Sequence, residues 1–155
     1  MRAARFPATM RRTQNPMTHA TLPPPGVQQL LAADPARVYI DVRTVEEFEA
    51  GHVPGSYNVP IFFKTAMGMQ PNPEFEAVVK RHFRPEQEIV FGCRSGVRSE
   101  RACELFGALG YRKLVNMSGG FEGSPDQQGW RACGLATTRT AEAGRSYREL
   151  SARSS

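Results

Sequence analysis

Six consecutive residues, Cys93-Arg94-Ser95-Gly96-Val97-Arg98, bring a thiol, two guanidinium groups and a glycine into one short stretch. The apolar run Ile89-Val90-Phe91 precedes them, and a helical pattern from Ser99 to Leu109 follows. That order puts the thiol at the C-terminal end of a strand, facing a helix N-terminus. Unpaired backbone N–H groups and the helix dipole favour negative charge at such a place. A cysteine there, flanked by Arg94 and Arg98, is expected to have a lowered pKa and to act as a thiolate nucleophile. The same cradle suits an anionic substrate. Gly96 lets the loop curl with its amides inward, as an anion nest. Cys93 is thus the expected catalytic residue, and Arg94, Ser95, Gly96, Val97 and Arg98 are the expected substrate-binding residues. Sequence does not separate the roles of Arg94 and Arg98. The Ser95 and Ser99 hydroxyls are able to donate to the sulfur or to cap the helix, which makes Ser99 a supporting residue.

The elements that position this loop follow from apolar patterning. Val27 to Ala33 suits a short helix after a linker or domain entry, Thr21 to Gly26. Val38-Tyr39-Ile40-Asp41-Val42 reads as a buried parallel strand. Thr44 and Glu47 fit a capping box, and Gly51 ends that helix. Ser56 to Val59 is a brief strand candidate. Asn72-Pro73 reads as the start of a helix that stops before Pro85, and Lys113 to Met117 as a last strand. Ser118-Gly119-Gly120 is a tight turn, and residues 121–135 are expected to be a loop and short helix. Strands alternating with helices predict an α/β fold, a central parallel sheet flanked by helices. Binding sites in such sheets lie beyond the C-terminal strand ends, where Cys93 sits.

Asp41 and Arg43 leave the end of another strand and are expected to support the site. An ion pair from Arg43 to Glu46 or Glu47 would tie the loop to the next helix. His52 follows a helix C-terminus and is expected to bond the last carbonyls there. Cys103, within a helix, and Cys133 read as small hydrophobes. Trp130, Phe121 and Phe62 are expected in the core, near the pocket mouth.

The chain has 155 residues, 40% hydrophobic and 23% charged, which suits one domain with a real core. Its net charge of +5 lies in the ends: residues 1–20 hold four arginines and no acid. Segment 21–138 is the expected domain, 1–20 a basic, disordered extension, and 139–155 a polar, basic tail. Both ends are expected to be dispensable for activity. The near-neutral body argues against nucleic acid, and no apolar run reaches the ~20 residues of a membrane span. Three cysteines without metal-ligand spacing argue against a zinc site and against a disulfide framework. A reducing cytoplasm is the expected location; the alternative is an organelle, with the Arg-rich N-terminus as its targeting segment.

Several motifs in order resemble the rhodanese (sulfurtransferase) family. Asp41-Val42-Arg43, Glu47-Phe48, Gly51-His52-Val53-Pro54-Gly55-Ser56 and Asn58-Val59-Pro60 resemble its first signature. Cys93 to Arg98 resembles its active-site loop, and Gly119-Gly120-Phe121 with Gly129-Trp130 and Gly134-Leu135 its closing segment. The resemblance spans about residues 27–136. The stretch Met67 to Phe83 is similar to single-domain thiosulfate sulfurtransferases of the bacterial and plant type. Ala136 stands where the family usually has proline, and Arg98 where related loops often carry a small polar residue. The resemblance implies transfer of sulfur from thiosulfate, or a similar small anionic donor, through a Cys93 persulfide. The acceptor it implies is cyanide, a small thiol or a protein thiol, and no metal or organic cofactor is needed.

Two other functions fit parts of the same pattern. One is a persulfide carrier or protein-interaction module. The other is a phosphatase or arsenate reductase, whose related loops place Arg after Cys and five residues. Here Arg98 follows Cys93 after four residues, and position 99 is serine. The loop is one residue short, and the smaller ring suits sulfur better than phosphate.

Overall fold

The computed structural model describes residues 19–152. The expected disordered extension at 1–20 lies almost wholly outside these residues.

Five parallel strands form the central sheet, in the order β1-β7-β6-β2-β3. They are β1 (Ala20–Leu22), β2 (Val38–Asp41), β3 (Tyr57–Asn58), β6 (Ile89–Gly92) and β7 (Leu114–Met117). The middle strands β2 and β6 are buried along their whole length, which is why they read as near-continuous apolar runs. Period-two alternation divides their side chains between two cores. Val38, Ile40, Ile89, Phe91 and Leu114 face α3 (Phe75–His82) and α4 (Val97–Ala108). Tyr39, Val90 and Met117 face α1 (Pro24–Ala33) and the segment carrying Phe121 and Trp130. Helix α2 (Val45–Ala50) follows β2, and its expected capping box is present in full: Thr44 Oγ1 accepts from the Glu47 amide, and Glu47 accepts from Thr44.

The fold departs from the sequence reading at four places. Of the two readings of 21–26, the domain entry holds and the linker does not: Ala20–Leu22 pairs with β7 as an edge strand, and Pro24 opens α1. Proline is tolerated in a first helical turn because the amide it lacks has no partner there. Asn72 does not cap α3, which starts at Phe75 after Glu74. Its side chain instead accepts from the Glu74 amide at 2.9 Å and donates to the Pro60 carbonyl at 2.9 Å, forming a turn ahead of the helix. An unanticipated antiparallel hairpin, β4 (Phe62–Thr65) and β5 (Gly68–Pro71), precedes it. Both hairpin strands are largely exposed, so they lack the apolar alternation that reveals a strand. Residues 121–135 fold into turns without a helix.

The polar tail packs on the domain and holds a helix within 141–152, the stretch of it that suits a loose helix by sequence. Thr138 bridges His52, the Arg145 guanidinium donates to the Gly55 carbonyl at 2.6 Å, and a short helix α5 (Tyr147–Ser151) follows. Leu150 is 3% exposed within the α3–α4 core. A polar tail with one buried leucine gives little periodic signal, yet that leucine anchors it. Leu150→Ala is expected to lower stability by about 2–5 kcal/mol, the usual cost of emptying a buried leucine site. The check is a urea titration, in which the midpoint falls while the slope holds. An unchanged midpoint would mean the tail is held by its polar contacts alone.

Among the described residues, no helix is long and apolar enough to cross a membrane.

Candidate active site

The loop between β6 and α4 wraps the Cys93 sulfur. The backbone N–H of Gly96 donates to Sγ at 3.1 Å and that of Ser99 at 3.3 Å. Gly96 has φ 106°, a left-handed conformation that glycine adopts without strain, and it stands at the N-cap of α4. The carbonyls are held on the opposite side. The Cys93 carbonyl accepts from the Phe121 amide at 2.8 Å, and the Arg94 carbonyl from Glu122 at 2.9 Å. Residues 119–122 therefore brace the loop from behind and leave its amides facing the sulfur. Cys93 itself is 1% exposed, at the floor of this ring.

Gly120 makes the brace close. Its φ is 64°, and a Cβ there would stand 2.5 Å from the Ser95 nitrogen and closer still to the Arg94 carbonyl. The sequence marked this turn as tight but did not show what lay against it.

Arg43 does not reach Glu46 or Glu47. Positions 41 and 43 share one side of an extended chain, so Arg43 turns onto Asp41, with Nη2–Oδ2 at 2.7 Å. It also donates to the Gly51 carbonyl at 2.7 Å and lies 4.4 Å from the Phe121 ring centre. Burial would lower the Arg43 pKa, but Asp41's charge and hydrogen bond outweigh it and hold the guanidinium protonated. The buried pair thus supports the ring whose amide holds Cys93. His52 Nδ1 bonds the Phe48 carbonyl at 2.8 Å, the capping role expected of it.

Glu47 belongs to Arg98 instead. The two form a bidentate pair, Nη1–Oε1 2.9 Å and Nη2–Oε2 3.1 Å, which ties the start of α4 to the start of α2. Arg94 is exposed and has no acidic partner among the described residues. The fold therefore separates two arginines that sequence could not.

Burial alone would raise the Glu47 carboxyl. The Arg98 hydrogen bond, the Thr44 amide and the charges of Arg98 and Arg43 outweigh it and hold the group below its usual range. A carboxyl lowered on folding stabilises the fold above its unfolded pKa, roughly 4.3 for glutamate, and loses that contribution as pH falls through the folded value. Wild type is therefore expected to lose stability below about pH 4.3 more steeply than Glu47→Gln. Denaturant midpoints from pH 6 down to 3 would show it. Parallel curves would mean the pair adds nothing on this partly exposed site.

Ser95 has no part in capping, since α4 has no side-chain cap. Ser99 Oγ lies 3.3 Å from the sulfur and 2.5 Å from Asn116 Oδ1. Asn116, on β7, is a site residue that sequence reading missed; only its register beside Phe91 brings it here. Cys103 is fully buried, and burial first, then Glu100 and Glu104, pushes its thiol pKa well up. It is a core residue, as expected.

The sequence profile described as "Rhodanese-like domain" matches residues 24–124. "Thiosulfate sulfurtransferase 16, chloroplastic" of Arabidopsis thaliana is 38% identical over 99 residues, 64% of this chain and 78% of that protein. The human "Thiosulfate:glutathione sulfurtransferase" is 34% identical over 100 residues, 63% and 85% of the two chains. Other curated relatives are longer: the chain spans 46% of one at 39% identity. Among solved structures, that of Rv0390 from M. tuberculosis superposes with a TM-score of 0.68 at 26% identity, over 79% of this chain and all of that one.

Proposed function

The chain belongs to the rhodanese-like domain family of sulfurtransferases, and from this we propose that it moves a sulfane sulfur from thiosulfate to a thiol through a persulfide on Cys93. The observation that carries the reading is the pair of backbone N–H donors on Cys93 Sγ, in a loop whose carbonyls are turned away. Such fixed dipoles stabilise negative sulfur without reorganising during reaction.

In the loading step the Cys93 thiolate attacks the outer sulfur of thiosulfate. A bond forms between Sγ and that sulfur, the bond to the sulfonate sulfur breaks, and sulfite leaves with the electron pair. In the second step an acceptor thiolate attacks the outer persulfide sulfur. It departs with that sulfur, and Cys93 is regenerated as thiolate. The name of the human relative supports a thiol acceptor. Cyanide would accept in the same way, giving thiocyanate, and a protein thiol would make the domain a persulfide carrier. The three cysteines are free, which fits a reducing compartment, whether the cytoplasm or an organelle.

The test is intact mass after mixing reduced protein with thiosulfate. A gain of about 32 Da, one sulfur atom, with one sulfite released per chain supports the reading. No gain with thiosulfate or with 3-mercaptopyruvate would overturn it.

Arg94 is the arginine proposed to attract the donor, since Arg98 is engaged by Glu47. Charge-assisted contacts are worth roughly 1.5–3 kcal/mol, less at an exposed site. Arg94→Ala is therefore expected to raise KM for thiosulfate several-fold with little change in kcat. An unchanged KM would leave donor binding to the loop amides.

A further inference from the structure

Asn116 is placed to decide which atom receives the Ser99 proton. Its Nδ2 faces two groups that only accept, Glu100 Oε1 at 3.1 Å and the Gly96 carbonyl at 3.4 Å. The amide is therefore oriented, and its oxygen must face Ser99. That oxygen carries no proton, and a serine hydroxyl has one. At 2.5 Å from Oδ1 and 3.3 Å from Sγ, the Ser99 hydrogen goes to Asn116. The sulfur then meets a Ser99 lone pair, and its donors are the backbone amides of Gly96 and Ser99. Ser99, Asn116 and Cys93 are all buried, so water does not substitute for any of these bonds at low cost.

Resting on the persulfide reading, we infer that Asn116 is a positioning residue that competes with Sγ for the Ser99 proton and thereby favours the sulfur-loaded form. The two forms of the enzyme place different charge on Sγ. In the free thiolate Sγ is anionic, and a Ser99 lone pair beside it is unfavourable. The hydroxyl must then turn to the sulfur and leave Asn116 Oδ1 without its donor. In the persulfide the negative charge sits on the outer sulfur, and Sγ is neutral and a weak acceptor. Ser99 then keeps its bond to Asn116 at no cost. Loading proceeds as above: thiolate and thiosulfate become persulfide and sulfite, with no change in total charge. Asn116 weights that exchange toward persulfide by penalising the free thiolate.

The test is the loading equilibrium, read as the loaded to unloaded ratio by intact mass at fixed sulfite-to-thiosulfate ratios. Asn116→Leu removes the acceptor at similar volume and frees the Ser99 proton for the thiolate. The loaded ratio is expected to fall several-fold. In a Ser99→Ala background the same Asn116 substitution is expected to change the ratio little, because no hydroxyl is left to redirect. If the leucine variant does not fold, Asn116→Ala in both backgrounds gives the same comparison. An unchanged ratio, or an equal fall with and without Ser99, would overturn the inference while wild-type loading still upholds the sulfur-transfer reading. Failure of the wild type itself to gain sulfur would remove both.

Discussion

Cys93→Ser is expected to reduce sulfur transfer to the uncatalysed background while leaving the fold intact. A serine hydroxyl is of similar shape, but it is not ionised near neutral pH and forms no stable counterpart of the persulfide. The Gly96 and Ser99 amides would still find an oxygen to bond, so the loop keeps its form. Thermal unfolding close to wild type, with no gain of one sulfur in the mass, is the expected pair of results. Retained turnover would move the chemistry to another residue. Neither remaining cysteine is well placed for it: Cys103 is sealed in the α3–α4 core with its thiol pushed up by burial, and Cys133 lies outside the loop.

Gly120→Ala is the second large effect. The added methyl would press on the backbone of Arg94 and Ser95, at a residue whose φ of 64° already disfavours a side chain. Backbone cannot swing aside as a long side chain does, so the loop must move. Its movement would pull the Cys93 and Arg94 carbonyls off the Phe121 and Glu122 amides and turn the donors away from the sulfur. A misplacement of about 1 Å in a reacting group costs on the order of 10²-fold in rate. Loss of this order in kcat/KM, greater than the loss of thermal stability suggests, is the expected outcome. Activity within about threefold of wild type would show that the brace is not what orients the amides.

The site was legible where its parts are neighbours along the chain. Cys93, Gly96 and the start of α4 lie within a few residues, so a strand followed by a glycine loop and a helix was enough to place the thiol between them. Thr44 with Glu47, and His52 with Phe48, are contacts across three and four positions, and helix-end rules find them. A parallel sheet likewise followed from alternating patterns, but its strand order and the edge strand β1 did not. Where a contact spans the fold, the same residues were ambiguous. Glu47 had two arginines to choose from, and the nearer in sequence was the wrong one. Arg43 is buried onto Asp41, and Arg98 arrives from 51 residues away. Leu150 looked like one apolar residue in a polar tail until the core closed around it.

By itself the sequence determined the candidate nucleophile, the loop around it, the alternation that makes a parallel α/β sheet, and the family, because each depends on residue types at short spacing. The tertiary structure alone decided which arginine lacks an acidic partner among the described residues, that residues 119–122 brace the loop from behind, that Asn116 lies beside Ser99, and that the C-terminal segment packs on the domain. Those four are settled by the register of strands and the closeness of packing, and neither can be read from one segment of chain without the segment it lies against.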